Sequence, residues 1–310
     1  MLTEALVIAF FVIGIQLMVP ILWAALGETL IEQSGVLNVG IEGVMLIGAL
    51  VTAWIGIELG NLWLAVLGAI GAGLVCGITL AVLYVFLGTD QIVTGLLFNI
   101  FAIGLTGVLH SLYIGGQIGP TFDEIEIWGI KSIPWVGEVL SSQNLMFYLS
   151  PAAAFLVYWL LHRTWWGLYV RAAGERPLAT ESGGLNVHRL RYPALILGSV
   201  MTALGGATLV LGSSGGFVPG MTAGRGFIAL GVVVLAAWRP FWVVLGSLLF
   251  GLAQGLQFLA GRLDLLASIP DQFWLAVPYI ITVIAVVFAP GSRYPAAVGI
   301  PHKRQSAATA

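Results

Sequence analysis

Residues 61–87 read Asn61-Leu-Trp-Leu-Ala-Val-Leu-Gly-Ala-Ile-Gly-Ala-Gly-Leu-Val-Cys-Gly-Ile-Thr-Leu-Ala-Val-Leu-Tyr-Val-Phe-Leu87, without one charged side chain. A helix of about 20 such residues crosses the hydrocarbon of a bilayer, so this run is long enough to span it. Comparable runs cover about 5–26, 35–57, 91–113, 144–162, 192–213, 217–237, 241–260 and 272–289, which makes nine candidate spans. The composition agrees: charged residues are 8% of the chain, hydrophobic residues 59%, and the mean hydropathy is +1.01. A soluble domain carries about 25% charged residues. The chain therefore reads as all-α, a polytopic integral membrane protein with membrane lipid as its solvent. The 41 glycines suit helices that pack through small side chains.

Orientation follows from Lys and Arg, which favour the cytoplasmic side. The 163–191 connection carries Arg163, Arg171, Arg176, Arg189 and Arg191, and the tail carries Arg293, Lys303 and Arg304. Placing both inside puts the N-terminus outside, the C-terminus inside and Arg239 inside, with Lys131, Arg225 and Arg262 on the other face. Residues 1–310 then form a single transmembrane domain with no soluble domain. Residues 114–143 are an extracytoplasmic loop whose Trp128 and Trp135 suit an interfacial belt. Met1-Leu-Thr-Glu4 lacks the basic start of a signal peptide, so the first run is expected to be retained. A net charge of −2 shows no basic excess for nucleic acid, and no metal-ligand spacing occurs. The single cysteine, Cys76, lies in an apolar run and reads as a packing residue.

Two spans are interrupted. The second contains Ser34-Gly-Val-Leu-Asn-Val-Gly-Ile-Glu-Gly43 and the seventh Ser214-Gly-Gly-Phe-Val-Pro-Gly-Met-Thr-Ala-Gly-Arg225. A carboxylate near a helix centre costs about 2.5–3.5 kcal/mol on insertion scales, so Glu42 belongs against protein or a water-filled path. Asn38 and Glu42, four residues apart, share a helical face. Both segments contain Ser-Gly-x-x-x-x-Gly and run in opposite directions in this topology, the pattern of an inverted repeat around a pathway. Asn38, Glu42, Phe217 and Pro219 are candidate pathway residues. Gln91, Thr94 and Asn99 open the fourth span and either bond between helices or line the same path, where neutral polar groups suit an uncharged solute better than an ion. Arg225 is left to snorkel, pair with Glu42 or face a ligand.

Within 163–191, Pro177 suits a first helical turn, Glu175 precedes it at the positive dipole end, and Gly183-Gly184 suits a stop. A short helix over 177–182 between two spans would serve as a docking knob for a soluble partner, or the segment is an ordinary basic inner loop. Three stretches, Gly27–Ala49, Gly174–Val187 and Phe217–Leu230, resemble the membrane subunits of bacterial ABC importers in the branch carrying ribose-like sugars and nucleosides. The similarity covers nearly the whole chain and is greatest to the shorter permease of nucleoside importers. It implies a permease in the cytoplasmic (inner) membrane of a bacterium, working with a second, related permease subunit, cytoplasmic ATPases and an extracytoplasmic substrate-binding protein. It also implies a coupling segment containing Glu175, Arg176, Pro177, Ala179, Ser182 and Gly183. Thr180 and Ser182 depart from the Ala-rich stretch expected there.

ATP and magnesium would then be held by the partner ATPase. No cofactor is expected on this chain, which has no Gly-x-x-x-x-Gly-Lys-Ser/Thr. The alternatives are a permease for another simple sugar, or a stand-alone secondary transporter or channel with Glu42 as a proton or cation site. Four scattered histidines, His110, His162, His188 and His302, offer no nucleophile–base or metal motif for an enzyme.

Overall fold

A computed structural model describes residues 4–125, 133, 135–260, 270–288 and 294–302. Its helices are α1 (Glu4–Gln33), α2 (Ile41–Leu59), α3 (Leu62–Ala81), α4 (Gln91–Leu109), α5 (Val136–Ser141), α6 (Leu145–Arg163), α7 (Trp165–Glu175), α8 (Pro177–Ser182), α9 (Val187–Leu209), α10 (Arg225–Leu235), α11 (Pro240–Ala260) and α12 (Asp271–Phe288). Wider π turns extend α3, α4 and α9 over Val82–Phe86, His110–Ile114 and Val210–Ser214. Seven helices among the described residues are long and apolar enough to cross a membrane. The chain is a multi-pass membrane protein. Glu126, Trp128, Lys131, Arg262, Arg293, Lys303 and Arg304 lie outside the described residues.

Several boundaries differ from the sequence reading. The expected second span is not interrupted internally: α1 runs on to Gln33, and Ser34–Gly40 is the junction from which α2 starts. The expected seventh span is helical only over the 11 residues of α10, a rod of about 16 Å. The 163–191 connection is largely helical, as α7 and α8. The shared Ser-Gly motif explains both junctions. Gly35 (φ 84°) and Gly215 (φ 63°) take the left-handed conformation that releases the chain from the preceding helix.

The core forms around α1 and α9, which run antiparallel. Along α1 from Pro20 to Gly27, the neighbours on α9 fall from Gly205 to Gly198. The packing pattern is reciprocal: α3 lies on α9 and α11 on α1, α2 touches α9 and α10 touches α1, and α4 and α12 flank α2 and α10. Exchanging α1–α4 with α9–α12 preserves these neighbours, the arrangement an inverted repeat produces.

Lipid offers no hydrophobic gain to helix association, so close backbone approach supplies the contact. A methyl group added at Gly206 would strike the Met45 carbonyl and lie 2.9 Å from the Ala49 nitrogen. We expect Gly206→Val to cost about 1–3 kcal/mol or more through overpacking. It should lower the melting temperature in detergent. Gly104→Ala, where an added methyl meets nothing within 4 Å, should leave it unchanged.

Candidate functional site

The Ser34–Gly40 junction is buried: Ser34, Val36 and Asn38 are each 0% exposed. Its backbone polar groups must find partners inside the protein, and side chains from distant helices supply them. Leu37 N donates to Gln91 Oε1 at 2.7 Å, and Asn38 N donates to Glu28 Oε1 at 3.0 Å. Arg191 Nε donates to the Ser34 carbonyl at 3.1 Å. Asn99 bridges both sides of the α2 start, accepting from Gly43 N at 2.8 Å and donating to the Val39 carbonyl at 2.9 Å. Gln91 and Asn99 thus clamp the junction. Thr94, half-buried on the same helix, takes no part. Among the described residues, neither polar atom of the buried Asn38 amide has a partner within hydrogen-bonding geometry.

Five helices carry their own N-cap: Asn61, Asp90, Asn144, Thr164 and Asn186 each bond the first turn of the helix that follows. Helices α2 and α10 begin after glycines, with no local side-chain cap. For α2 the donor at Gly43 is met by Asn99. For α10 the cap is Glu42. Its Oε1 accepts from Thr222 Oγ1 at 2.5 Å and Gly224 N at 2.9 Å, and its Oε2 accepts from Gly226 N at 2.7 Å. A carboxylate at the positive end of a helix is favourable, most of all where water is scarce.

Arg225 does not form the direct ion pair with Glu42 that the sequence allowed. Its Nη1 donates to the Met221 and Thr222 carbonyls at 3.1 and 3.3 Å, while the Glu42 carboxylate accepts from three donors of the α10 start. Phe217 is buried among Leu46, Leu50 and Val210 of its cluster, with its ring 5.6 Å from that of His110. Pro219 is exposed on the turn beyond it. These two residues therefore lie apart from the Asn38 junction, and Glu42 joins the two regions.

Two features were missed in the sequence. Glu28 and Glu32, one helical turn apart near the end of α1, are both buried. Glu28 holds Asn38 N, and Glu32 accepts from Trp238 Nε1. The second is a cavity of about 640 Å³ lined by Leu17, Arg225, Ile228, Gln254, Gln257, Trp274 and Tyr279 among others. Gln254 and Gln257 are spaced to share a face of α11 and interrupt an apolar run, a signal that hydropathy averaging hides.

At the other end of the bundle, α8 begins at Pro177 and stops at Gly183, with Gly184 left-handed (φ 82°). Glu175, Arg176, Ala179, Ser182 and Gly183 are exposed, and Leu178 is 56% exposed. Thr180 turns inward and donates to the Arg176 carbonyl at 3.0 Å. Directly before this helix, Gly174 abuts the Ser34–Gly40 junction: a methyl group there would strike the Gln33 carbonyl and lie 3.1 Å from Gly35 N. The tail folds over the same place. Ala297 N donates to the Gly174 carbonyl at 2.9 Å, and His302 Nε2 lies 3.0 Å from Glu181 Oε1.

Glu42→Gln should leave one amide of the α10 start without an acceptor, at a cost of about 1–3 kcal/mol. Thermal melting of the purified protein should show that loss, and Gly226→Ala, whose methyl would sit 2.7 Å from Glu42 Oε2, should reproduce it.

Comparison with known proteins bears on what this arrangement serves. The chain is 33% identical over 297 residues to the guanosine ABC transporter permease protein NupQ of Bacillus subtilis, covering 91% of this chain and 92% of that one. It is 34% identical over 299 residues to the putative glucose ABC transporter permease protein TsgC13 of Haloferax volcanii, covering 89% of each. A more distant Bacillus subtilis chain, the guanosine permease NupP, is 23% identical over 286 residues, covering 90% of this chain and 80% of that one. No solved structure matches. The family described as branched-chain amino acid transport system / permease component matches residues 10–286, and the chain belongs to it.

Proposed function

We propose that this chain is the transmembrane subunit of an ATP-driven importer that carries nucleosides or related sugars across the cytoplasmic membrane of a bacterium. The names of the similar permeases support both solute classes. That one species holds two related chains named for guanosine supports pairing with a second, different permease. Soluble ATPases would dock from the cytoplasm, and an external binding protein would deliver the solute.

The observation that carries the reading is the seat of α8. A short helix with an exposed apolar Leu178 projects from the bundle, yet its base at Gly174 touches the junction that leads into α2. Movement of α8 by an ATPase would press on Gly35. The junction clamped by Gln91 and Asn99 would carry that movement to Glu42, and Glu42 to α10. Residues Asn38, Glu42 and Arg225 then stand between the motor and the solute path. ATP hydrolysis takes place on the partner, and this chain contributes the lever and the path.

Replacing Leu178 with Asp, or breaking α8 with Thr180→Pro, which removes the bond from Thr180 N to the Arg176 carbonyl, should reduce ATPase co-purification at least about tenfold, by loss of an apolar contact worth more than about 1.4 kcal/mol. The permease should remain in the membrane fraction at its normal level. Undiminished co-purification of both variants would remove α8 from the coupling role. Uptake that persists without any ATPase would refute the importer reading itself.

A further inference from the structure

Arg191 lies near the start of α9 and is 2% exposed, whereas Arg189 just before it faces outward. Charge that only orients a span can stay at the surface as Arg189 does, so a buried guanidinium needs another reason. Among the described residues no carboxylate pairs with Arg191. Its Nε donates to the Ser34 carbonyl at 3.1 Å, and its Nη2 is buried without a partner. An unmatched acceptor stands beside that donor. Of the carbonyls that close α7, that of Ala172 accepts from Arg176 N and that of Gly174 from Ala297 N, but no donor among the described residues reaches the carbonyl of buried Ala173. In an unbroken helix its partner would be residue 177, and Pro177 has no N–H. One point locates donor and acceptor together: a methyl group on Gly35 would lie 2.7 Å from Arg191 Nη2, 3.1 Å from Gly174 Cα and 3.5 Å from the Ala173 oxygen.

We propose that Arg191 is a positioning residue that latches the lever to the junction: in a second state of the transport cycle its Nη2 takes the Ala173 carbonyl while its Nε keeps the Ser34 carbonyl. This rests on the importer reading above and adds the residue through which α8 acts. A guanidinium suits the task because its donors form a fixed fork, so one side chain can hold two carbonyls at once. The carbonyls belong to different parts of the bundle. Ser34 follows α1, which packs with α9 in the core, whereas Ala173 lies in α7, the helix that leads into α8. Each open group is costly while buried, so a displacement of α7 that joins them is stabilised and one that parts them is not. That difference is what a two-state element requires. The Ser34 peptide leads straight into left-handed Gly35, so the latch sets the angle at which the chain leaves α1 for α2.

The test uses the complete importer in proteoliposomes and reads uptake of tritiated guanosine, or of labelled glucose, per ATP hydrolysed. Arg191→Lys keeps the charge and one bond but loses the fork. It should lower that ratio at least about tenfold, the equivalent of one charge-assisted hydrogen bond. ATPase co-purification and the half-saturating solute concentration should stay as in wild type. A wild-type ratio in this variant would overturn the latch and leave the importer reading standing. So would uptake and hydrolysis that fall together with the ratio unchanged, the result of losing a structural strut. Absence of ATP-dependent uptake of both solutes by the wild-type complex would instead sink the importer reading, and the latch with it. A second measurement needs no variant, so failure of Arg191→Lys to assemble does not shield the proposal. Amide hydrogen exchange across residues 34–40 of the wild-type complex should differ at least about tenfold between the nucleotide-free and vanadate-trapped states. Identical exchange in the two states would overturn the latch.

Discussion

The architecture depends on one carboxylate. A helix that begins inside a bundle presents free amides and a positive dipole end where no water can meet them. In α10 the residues before the first turn are Ala223 and Gly224, which cannot cap it, so the requirement passes to Glu42, nearly two hundred residues earlier in the chain. The same contact solves the converse problem, since Glu42 would itself be costly if it faced lipid. Two liabilities cancel, and the cancellation fixes the start of α2 against the start of α10. Gln91, Asn99, Glu28 and Arg191 extend the principle by completing the backbone of the junction just before α2.

Much of this was legible in the sequence. The uncharged run at 61–87 led directly to a helical membrane protein, and Pro177 with Gly183-Gly184 marked α8 at its observed ends. Both interruptions were visible because glycine, proline and a buried acid are conspicuous in apolar sequence. Their form was not. Whether a Gly-rich segment breaks a helix or separates two depends on what reaches its backbone, and Gln91 and Arg191 lie far away in the chain. The pairing of Glu42 with Thr222 spans 180 positions, and no local periodicity encodes it. Glu28 and Glu32 escaped notice because acids near the end of a run look interfacial until Trp238 and Asn38 close over them. Gln254 and Gln257 were hidden in a span whose average remains apolar.

The antiparallel pair α1 and α9 explains how such a polar interior is tolerated. Close contacts through Gly27, Gly198 and Gly205 bring the two backbones together. Rigidity is therefore concentrated at the centre. Helix α10 is short and is held at its start by the Glu42 side chain of α2.

The strap formed by residues 294–302 sets an order on biosynthesis. A ribosome delivers α8 long before it delivers Tyr294, Ala297 and His302. Yet Ala297 closes the Gly174 carbonyl, His302 reaches Glu181, and Tyr294 packs edge-on against Trp238 with ring centres 4.7 Å apart. The packing around α8 is complete only once those late residues have been laid down, so an unfinished chain would leave the Gly174 carbonyl and Glu181 without the contacts that close over them.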